Sequence, residues 1–454
     1  MSSALPLAAA LLSQTNTGDV SYLVRAGQVM AETGELLRVD VFTFTVGGES
    51  WLNQQWGSEL VLAGSYGSGG WRGLVVLRAL LTAFAVGVTY WRTRRAGADP
   101  FWSGLLSLVA FVVAVTLPGT FALRSQLLAV PLFLAASLVL DRWRDEPVRA
   151  LGLAVIGVVW ANVHGSFVLL PLLIALRLVD EVSEHRSRRW LAASLVASLV
   201  TPFATPWGAG TYRYVGDLAT SPIVRDVIDE WRPLWEHAPA GPVFAVVVLA
   251  LLVAVARQPR RLRPGQIASL VAFTGLAAWS GRNLLWWSLV VPPIAAMFAP
   301  QGGERREPSA RATAVVAVAL GSLVAVGLMR VVTITPEASL LADAPTGLAG
   351  ALADATEPGD RVFASWSGGW YELVVPDVLQ FTDARVELFP DEVWGEYFTV
   401  VNAEPGWQGV LDRWEVDVLV VDAERHEVLL AAAQSSPWSP AFQDGDGVVF
   451  ERAE

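Results

Sequence analysis

Residues 148–179 read VRALGLAVIGVVWANVHGSFVLLPLLIALRLV, an apolar run broken near its middle by Asn162-Val163-His164-Gly165. As one helix it would extend about 48 Å at 1.5 Å per residue, whereas a hydrocarbon layer is roughly 30 Å thick. The run is too long for one crossing and suits two short ones. Arg142, Arg144 and Arg149 lie at its start, and Arg186, Arg188 and Arg189 follow it. Arginine is retained on the cytoplasmic side of membrane helices. Both ends therefore belong on that side, and the polar tip points outward.

The same reasoning extends along the chain. Further clusters at Arg92/Arg94/Arg95, Arg257/Arg260/Arg261/Arg263 and Arg305/Arg306/Arg311 fall at alternate breaks between apolar segments. Apolar runs near 74–91, 101–117, 122–140, 243–256, 267–279, 284–299 and 312–328 join the hairpin and Leu191–Val200. Alternation then sends 14–70, 118–124, 161–166, 202–242, 280–283 and everything after Val332 outward. The expected architecture is an α-helical polytopic membrane domain of about ten spans over 1–332, with external loops 14–70 and 202–242. An external, soluble α/β domain follows over 337–454. Ala4–Leu12 is apolar but spans only about 14 Å, and reads as a truncated first helix.

Composition agrees. The 454 residues are 53% hydrophobic and 17% charged, with mean hydropathy +0.45, which excludes an ordinary soluble globule. Cysteine is absent, which removes disulfides and thiolate metal sites. Lysine is absent too, so every basic residue is arginine. His164, His185, His237 and His426 lack the spacing of a zinc site. From Glu337 onward the net charge is −18, against +7 before it. So acidic a tail argues against nucleic-acid binding.

Local patterns fill in the external parts. Residues 22–33 read as a helix ending near Gly34, and Val41–Val46 alternates like a strand before a Gly47-Gly48 turn. Trp51, Trp56 and Trp71 suit a headgroup layer. The prolines at 202, 206, 222, 233, 239 and 242 forbid one continuous helix there. In the tail, 361–365 and 417–421 read as buried strands, 392–401 and 408–414 as helices, and 441–452 as a hairpin turning at 444–447.

The residues that look chemical lie almost wholly on the outward side. Asp19, just beyond the first apolar stub, can take a proton from an acceptor hydroxyl or serve as a helix cap. Asp40 is a second acid, a metal ligand or a turn residue. Arg124 enters the membrane from outside, where its planar fork suits a phosphate or snorkels to headgroups. Asn162 and His164 at the hairpin tip can bind a sugar or phosphate oxygen, or close the turn. Glu230 beside Trp231 pairs hydrogen bonding with an apolar ring face, as sugar recognition requires; a solvated helix would look the same. Arg282 is a second phosphate candidate or an interfacial anchor. Asp383 and Arg385 read as a structural ion pair.

Taken in order, these pieces resemble the GT-C glycosyltransferase superfamily, nearest its protein O-mannosyltransferase-like and lipid A-modifying groups. The resemblance is carried by residues 19–27, Asp40-Val41-Phe42-Thr43-Phe44-Thr45 with Trp51 and Trp56, Leu123-Arg124-Ser125-Gln126, Trp160-Ala161-Asn162-Val163-His164-Gly165, 221–233, Arg282-Asn283 and the tail segments 363–371, 382–387 and 417–421. It implies an inverting transfer from a polyprenyl-phosphate sugar to an unidentified glycan, lipid or protein acceptor. Asp19 would then be the base or hold a divalent metal, in a cell-envelope enzyme of the bacterial plasma membrane with its C-terminal domain external. Ser21 and Tyr22 stand where that family usually has aromatic or His residues. Two other classes stay open. A non-catalytic scaffold or assembly factor would need no catalytic carboxylate. A transporter or flippase would place charges along a path through the bilayer, whereas here they crowd one side.

Overall fold

The computed structural model describes residues 3–300, 310–335, 337–366 and 368–452. Arg305 and Arg306, part of one expected basic break, lie outside these residues. The chain divides into two compact units, each assembled from separated stretches.

The helical unit comprises Met1–Gln14, Arg72–Asp217 and Arg225–Ile334. The 148–179 run forms the expected hairpin: a helix Pro147–Ala161, a 3-10 turn Gly165–Val168 and a helix Leu169–Ser183. The first helix stops because His164 turns extended (φ −163°, ψ 144°) and its ring accepts from Ser166 N at 3.0 Å. That side chain starts the next turn as an N-cap would. Trp160, wholly buried at the hairpin tip, packs with Phe133, and Phe133 also packs with Phe273 and Trp286. Four helices thus share one aromatic core.

Helix ends are tied across the unit as well as locally. Asp145 accepts from the backbone of Trp190 at 2.7 Å and Arg189 at 3.1 Å, and so caps the helix Arg189–Val200. Helix Pro264–Trp279 presses on Leu169–Ser183 at Gly265, where a Cβ would lie 2.4 Å from Leu176 O. Gly265 N donates to Asp180 at 2.7 Å. The stub Ala4–Leu12 is helical and packs on Ala310–Thr333, where a Cβ on Gly327 would lie 2.7 Å from Leu11 Cβ. Its terminal carbonyls receive arginines: Arg78 Nη2 donates to Ser13 O at 2.9 Å and Arg330 Nη1 to Leu11 O at 3.1 Å. Helix ends leave such carbonyls unanswered. Among the described residues three helices are long and apolar enough to cross a membrane: Trp56–Arg95, Ala240–Arg257 and Ala314–Thr333. Apolar helices such as Pro100–Val115, Ser125–Asp141 and Pro147–Ala161 are shorter.

The second unit comprises Thr15–Trp71, Leu218–Val224 and Thr335–Glu454. Its sheet has Arg361–Ala364 flanked by Leu379–Gln380 and Val418–Asp422, both parallel to it. Gly447–Arg452 then pairs antiparallel with Val418–Asp422, and Trp438–Gln443 completes the edge. The Val-Leu-Val-Val run at 418–421 is buried throughout, as strands covered on both faces are. Helix Gly18–Thr33 ends at Gly34 in the left-handed region (φ +71°). It packs on Gly368–Val374, where a Cβ on Gly369 would meet Gly18 O at 3.3 Å.

Two expectations need correction here. Val41–Val46 forms no regular strand. Asp40 accepts from Thr43 N at 3.0 Å and Thr43 Oγ1 at 2.6 Å, which bends the chain. Only Phe42 and Phe44 reach the sheet, through Gln380 N and O. Trp51 and Trp71 do not sit in a headgroup layer as free anchors. Trp51 is buried with Phe42 and Met30, and Trp71 stacks on Trp370 at 5.5 Å. Gly368 and Gly369 stand close to neighbouring backbone: a Cβ on Gly368 would lie 2.4 Å from Thr382 O. They permit close backbone packing.

Candidate functional site

Five of the residues singled out in the sequence meet within the helical unit: Arg124, His164, Glu230, Trp231 and Arg282. Each stands where an apolar helix ends. Arg124 precedes the helix Ser125–Asp141 and Arg282 lies in the turn Gly281–Asn283. Glu230 and Trp231 belong to the turn Asp229–Trp231. The turns interlock through their backbones. Gly281 N donates to Arg232 O at 3.1 Å, Ser280 Oγ to Glu230 O at 3.2 Å and Gln126 Nε2 to Arg282 O at 3.0 Å.

Glu230 lies between the two arginines. Arg124 Nη2 donates to Glu230 Oε2, and Arg282 Nη1 stands 3.7 Å from Oε1. Oε1 is buried and accepts no hydrogen bond among the described residues. Burial pushes the Glu230 carboxyl up, but the charges of Arg124 and Arg282 outweigh it and hold it below the usual range. It is a carboxylate at neutral pH. The guanidinium of Arg282 also lies over the Trp231 ring, 4.8 Å from its centre, a cation–π contact.

His164 has a defined protonation. Burial, then the charges of Arg282 and Arg124, push it well below the usual histidine range, so the ring is neutral. Its Nδ1 accepts from Ser166 N at 3.0 Å and lies 2.8 Å from Ser166 Oγ. A backbone N–H can only donate, so the ring proton sits on Nε2. Nε2 in turn lies 3.2 Å from Arg282 Nη2, and that group is a donor as well. Two donors cannot bond each other. An anion or a hydroxyl oxygen beside them would accept from both.

The remaining predicted residues stand elsewhere. Asn162 Nδ2 donates to Val158 O of its own helix at 2.9 Å, which helps close the hairpin. Asp19 belongs to the second unit, half-buried in the first turn of Gly18–Thr33. There the helix dipole favours a carboxylate. Asp40 closes its own turn and pairs with a buried arginine. Its Oδ1 accepts from Arg385 Nη2 at 2.5 Å, while Arg385 Nε donates to Asp383 Oδ2 at 2.8 Å, all fully buried. Asp40 thereby holds the 36–50 loop to the sheet side of its unit. No group of three or more His, Cys, Asp or Glu among the described residues is arranged to hold a metal ion.

Two supporting residues escaped the sequence reading. Ser166 fixes the His164 tautomer, and Trp160 Nε1 orients the Ser166 hydroxyl at 3.0 Å. A serine two residues beyond a histidine, where a helix restarts, is the signal that pointed to the first.

No family model and no curated protein sequence matches the chain. Solved structures do. It is similar to the archaeal oligosaccharyltransferase AglB from Archaeoglobus fulgidus in complex with an inhibitory peptide and a dolichol-phosphate, with a TM-score of 0.57 at 13% identity over 93% of this chain and 68% of that one. It is also similar to ArnT from Cupriavidus metallidurans bound to undecaprenyl phosphate, with a TM-score of 0.54 at 13% identity over 99% of this chain and 96% of that one. Identity at this level speaks for the fold alone. The chain shares the fold of these two solved structures.

Proposed function

We propose that the chain is an integral membrane glycosyltransferase that moves a sugar from a polyprenyl-phosphate donor to an acceptor on the external face. The observation that carries this is the cluster of Arg124, Arg282 and His164, in which both arginines stand against Glu230 and His164 Nε2 lies 3.2 Å from Arg282 Nη2. The solved relatives named above hold a dolichol-phosphate and an undecaprenyl phosphate, which supports a lipid phosphate as the anion. In this reading about ten helices of 1–332 cross the bacterial plasma membrane, and 337–454 is the external α/β domain.

The chemistry balances with these residues. The acceptor oxygen attacks the anomeric carbon from the face opposite the phosphate, which inverts that centre. The bond from carbon to phosphate oxygen breaks and leaves both electrons on the phosphate. The acceptor's proton passes to a general base, the role that the resemblance implies for Asp19. Fixed cations aimed at the departing oxygen stabilise charge as it develops, and they act more strongly where water is excluded. Arg124 and Arg282 fill that role, with side chains 11% and 21% exposed. Oε1 of Glu230, which accepts no hydrogen bond among the described residues, and the Trp231 ring suit a sugar hydroxyl and a sugar face.

The test is label transfer in proteoliposomes supplied with radiolabelled polyprenyl-phosphate sugars and a membrane extract as acceptor. Losing one such donor group typically costs about 100-fold or more in rate. Arg124→Ala, Arg282→Ala and Asp19→Asn are each expected to lose transfer to that degree while keeping the wild-type melting profile. Transfer that survives all three substitutions would sink the proposal. A scaffold predicts no transfer from any donor.

A further inference from the structure

An acid placed between two arginines that are to hold a phosphate works against them. Neutralising the pair does not require Glu230 to sit within the site. Its turn is already tied down by backbone groups, through Ser280 Oγ to Glu230 O and Gly281 N to Arg232 O. Its carboxylate bonds Arg124 through Oε2, while Oε1 faces Arg282 at 3.7 Å and is buried without a hydrogen bond among the described residues. The side chain thus stands against the same two arginines that an anion would use.

We propose that Glu230 sets the charge preference of this site, favouring a phosphodiester headgroup over a phosphomonoester. The inference rests on the reading that Arg124 and Arg282 hold a lipid phosphate. A diester carries one negative charge. A monoester with a second pKa near 6 carries about two above neutral pH. Any anion that accepts from Arg124 and Arg282 comes within a few ångströms of the Glu230 carboxylate, because both arginines already reach it. At an effective dielectric constant near 20, unit charges about 6 Å apart change an equilibrium by more than tenfold. Each added charge on the ligand meets that repulsion again. The groups facing the carboxylate are Arg124 before its helix, Arg282 on the neighbouring turn, and the nearby His237. His164 adds a neutral donor through Arg282.

This has a direct use in the proposed reaction. The donor is a diester, and cleavage of its carbon–oxygen bond leaves the spent lipid as a monoester. One more charge then sits beside Glu230 than before the reaction. The carboxylate weakens the hold on the product relative to the donor and so favours release of the carrier lipid.

The experiment uses the full chain in phosphatidylcholine nanodiscs at about pH 8, where a phosphomonoester is a dianion. The probes are farnesyl phosphate and farnesyl methyl phosphate, which share a tail and differ by one charge. Their dissociation constants are measured for the wild type, Glu230→Gln, Glu230→Ala, Arg124→Ala and Arg282→Ala. Glu230→Gln and Glu230→Ala should each shift the ratio of the two constants about tenfold toward the monoester. Two variants of different size guard against one that fails to fold. An unchanged ratio, with binding still weakened by Arg282→Ala, would overturn the proposal and leave the phosphate reading standing. If the wild type binds neither probe, or binding ignores both arginine substitutions, the phosphate reading and the proposal fall together.

Discussion

A buried guanidinium is tolerable only where its charge and its N–H groups are answered. Arg385 meets the charge with Asp40 and Asp383, which take Nε and Nη2, and with the rings of Trp51 at 4.5 Å and Phe42 at 5.1 Å, while Nη1 is buried without a hydrogen bond among the described residues. The i,i+2 partner, Asp383, was legible from sequence as an ion pair. Asp40, 345 residues away, was not, because nothing local marks a distant acid as that arginine's counterion. Beside this network sits Glu372, buried with neither carboxylate oxygen hydrogen-bonded among the described residues. Burial, then the charge of Asp383, pushes its carboxyl well above the usual range. The folded state therefore keeps a proton that the unfolded chain gives up above about pH 4.3. Stability falls as pH rises from there through the raised value. Glu372→Gln carries the neutral form permanently. It should raise the melting temperature at alkaline pH, with the gain shrinking toward pH 4 to 5. A melting difference independent of pH would refute the assignment.

At the scale of elements, the helices were readable and their contacts were not. The hairpin at 147–183 followed from a length too great for one crossing and a polar tip between basic ends. Which glycines of a helix are obligatory depends on neighbours that no periodicity reveals. Helix Pro264–Trp279 holds two test cases. A Cβ on Gly265 would lie 2.4 Å from Leu176 O, whereas one on Gly275 would meet nothing within 4 Å. Gly265→Ala should destabilise by about 1–3 kcal/mol, the usual cost of overpacking. Gly275→Ala should be neutral or stabilise by up to about 1 kcal/mol, the helix preference of Ala over Gly. Thermal unfolding in detergent distinguishes them, and equal effects would refute the packing account. Val41–Val46 failed as a strand for a related reason. Alternation signals a half-buried extended segment, but Asp40 accepts from the backbone at Phe42 and Thr43 and turns it.

At the scale of the whole molecule, compact units and sequence order part company. Residues 15–71 belong with 335–454 in one unit, although some 250 residues of helical chain separate them. Phe44 packs on Phe381 at 5.7 Å and on Trp414 at 6.1 Å, and Thr45 Oγ1 donates to Phe381 O at 2.7 Å. Without the 15–71 segment, Arg385 loses Asp40, and both aromatic rings lose a neighbour. The tail 337–454 produced alone should therefore lack a cooperative melting transition, while 15–71 fused to it through a Gly/Ser linker should regain one. A sharp transition in the isolated tail would show that the segment is dispensable.

The sequence by itself determined the helical hairpin, the strands and helices of the tail, and the identities of Arg124, His164, Glu230, Trp231 and Arg282 as residues of interest. These depend on local length, hydropathy and charge, which a linear reading contains. Only the tertiary structure decided that those five residues meet, that His164 presents Nε2–H, that Glu230 lies between two arginines, and that Asp40 serves Arg385. Hydrogen-bond direction and ion pairing act over a few ångströms between groups tens to hundreds of residues apart. Such distances come into being only once the chain has folded.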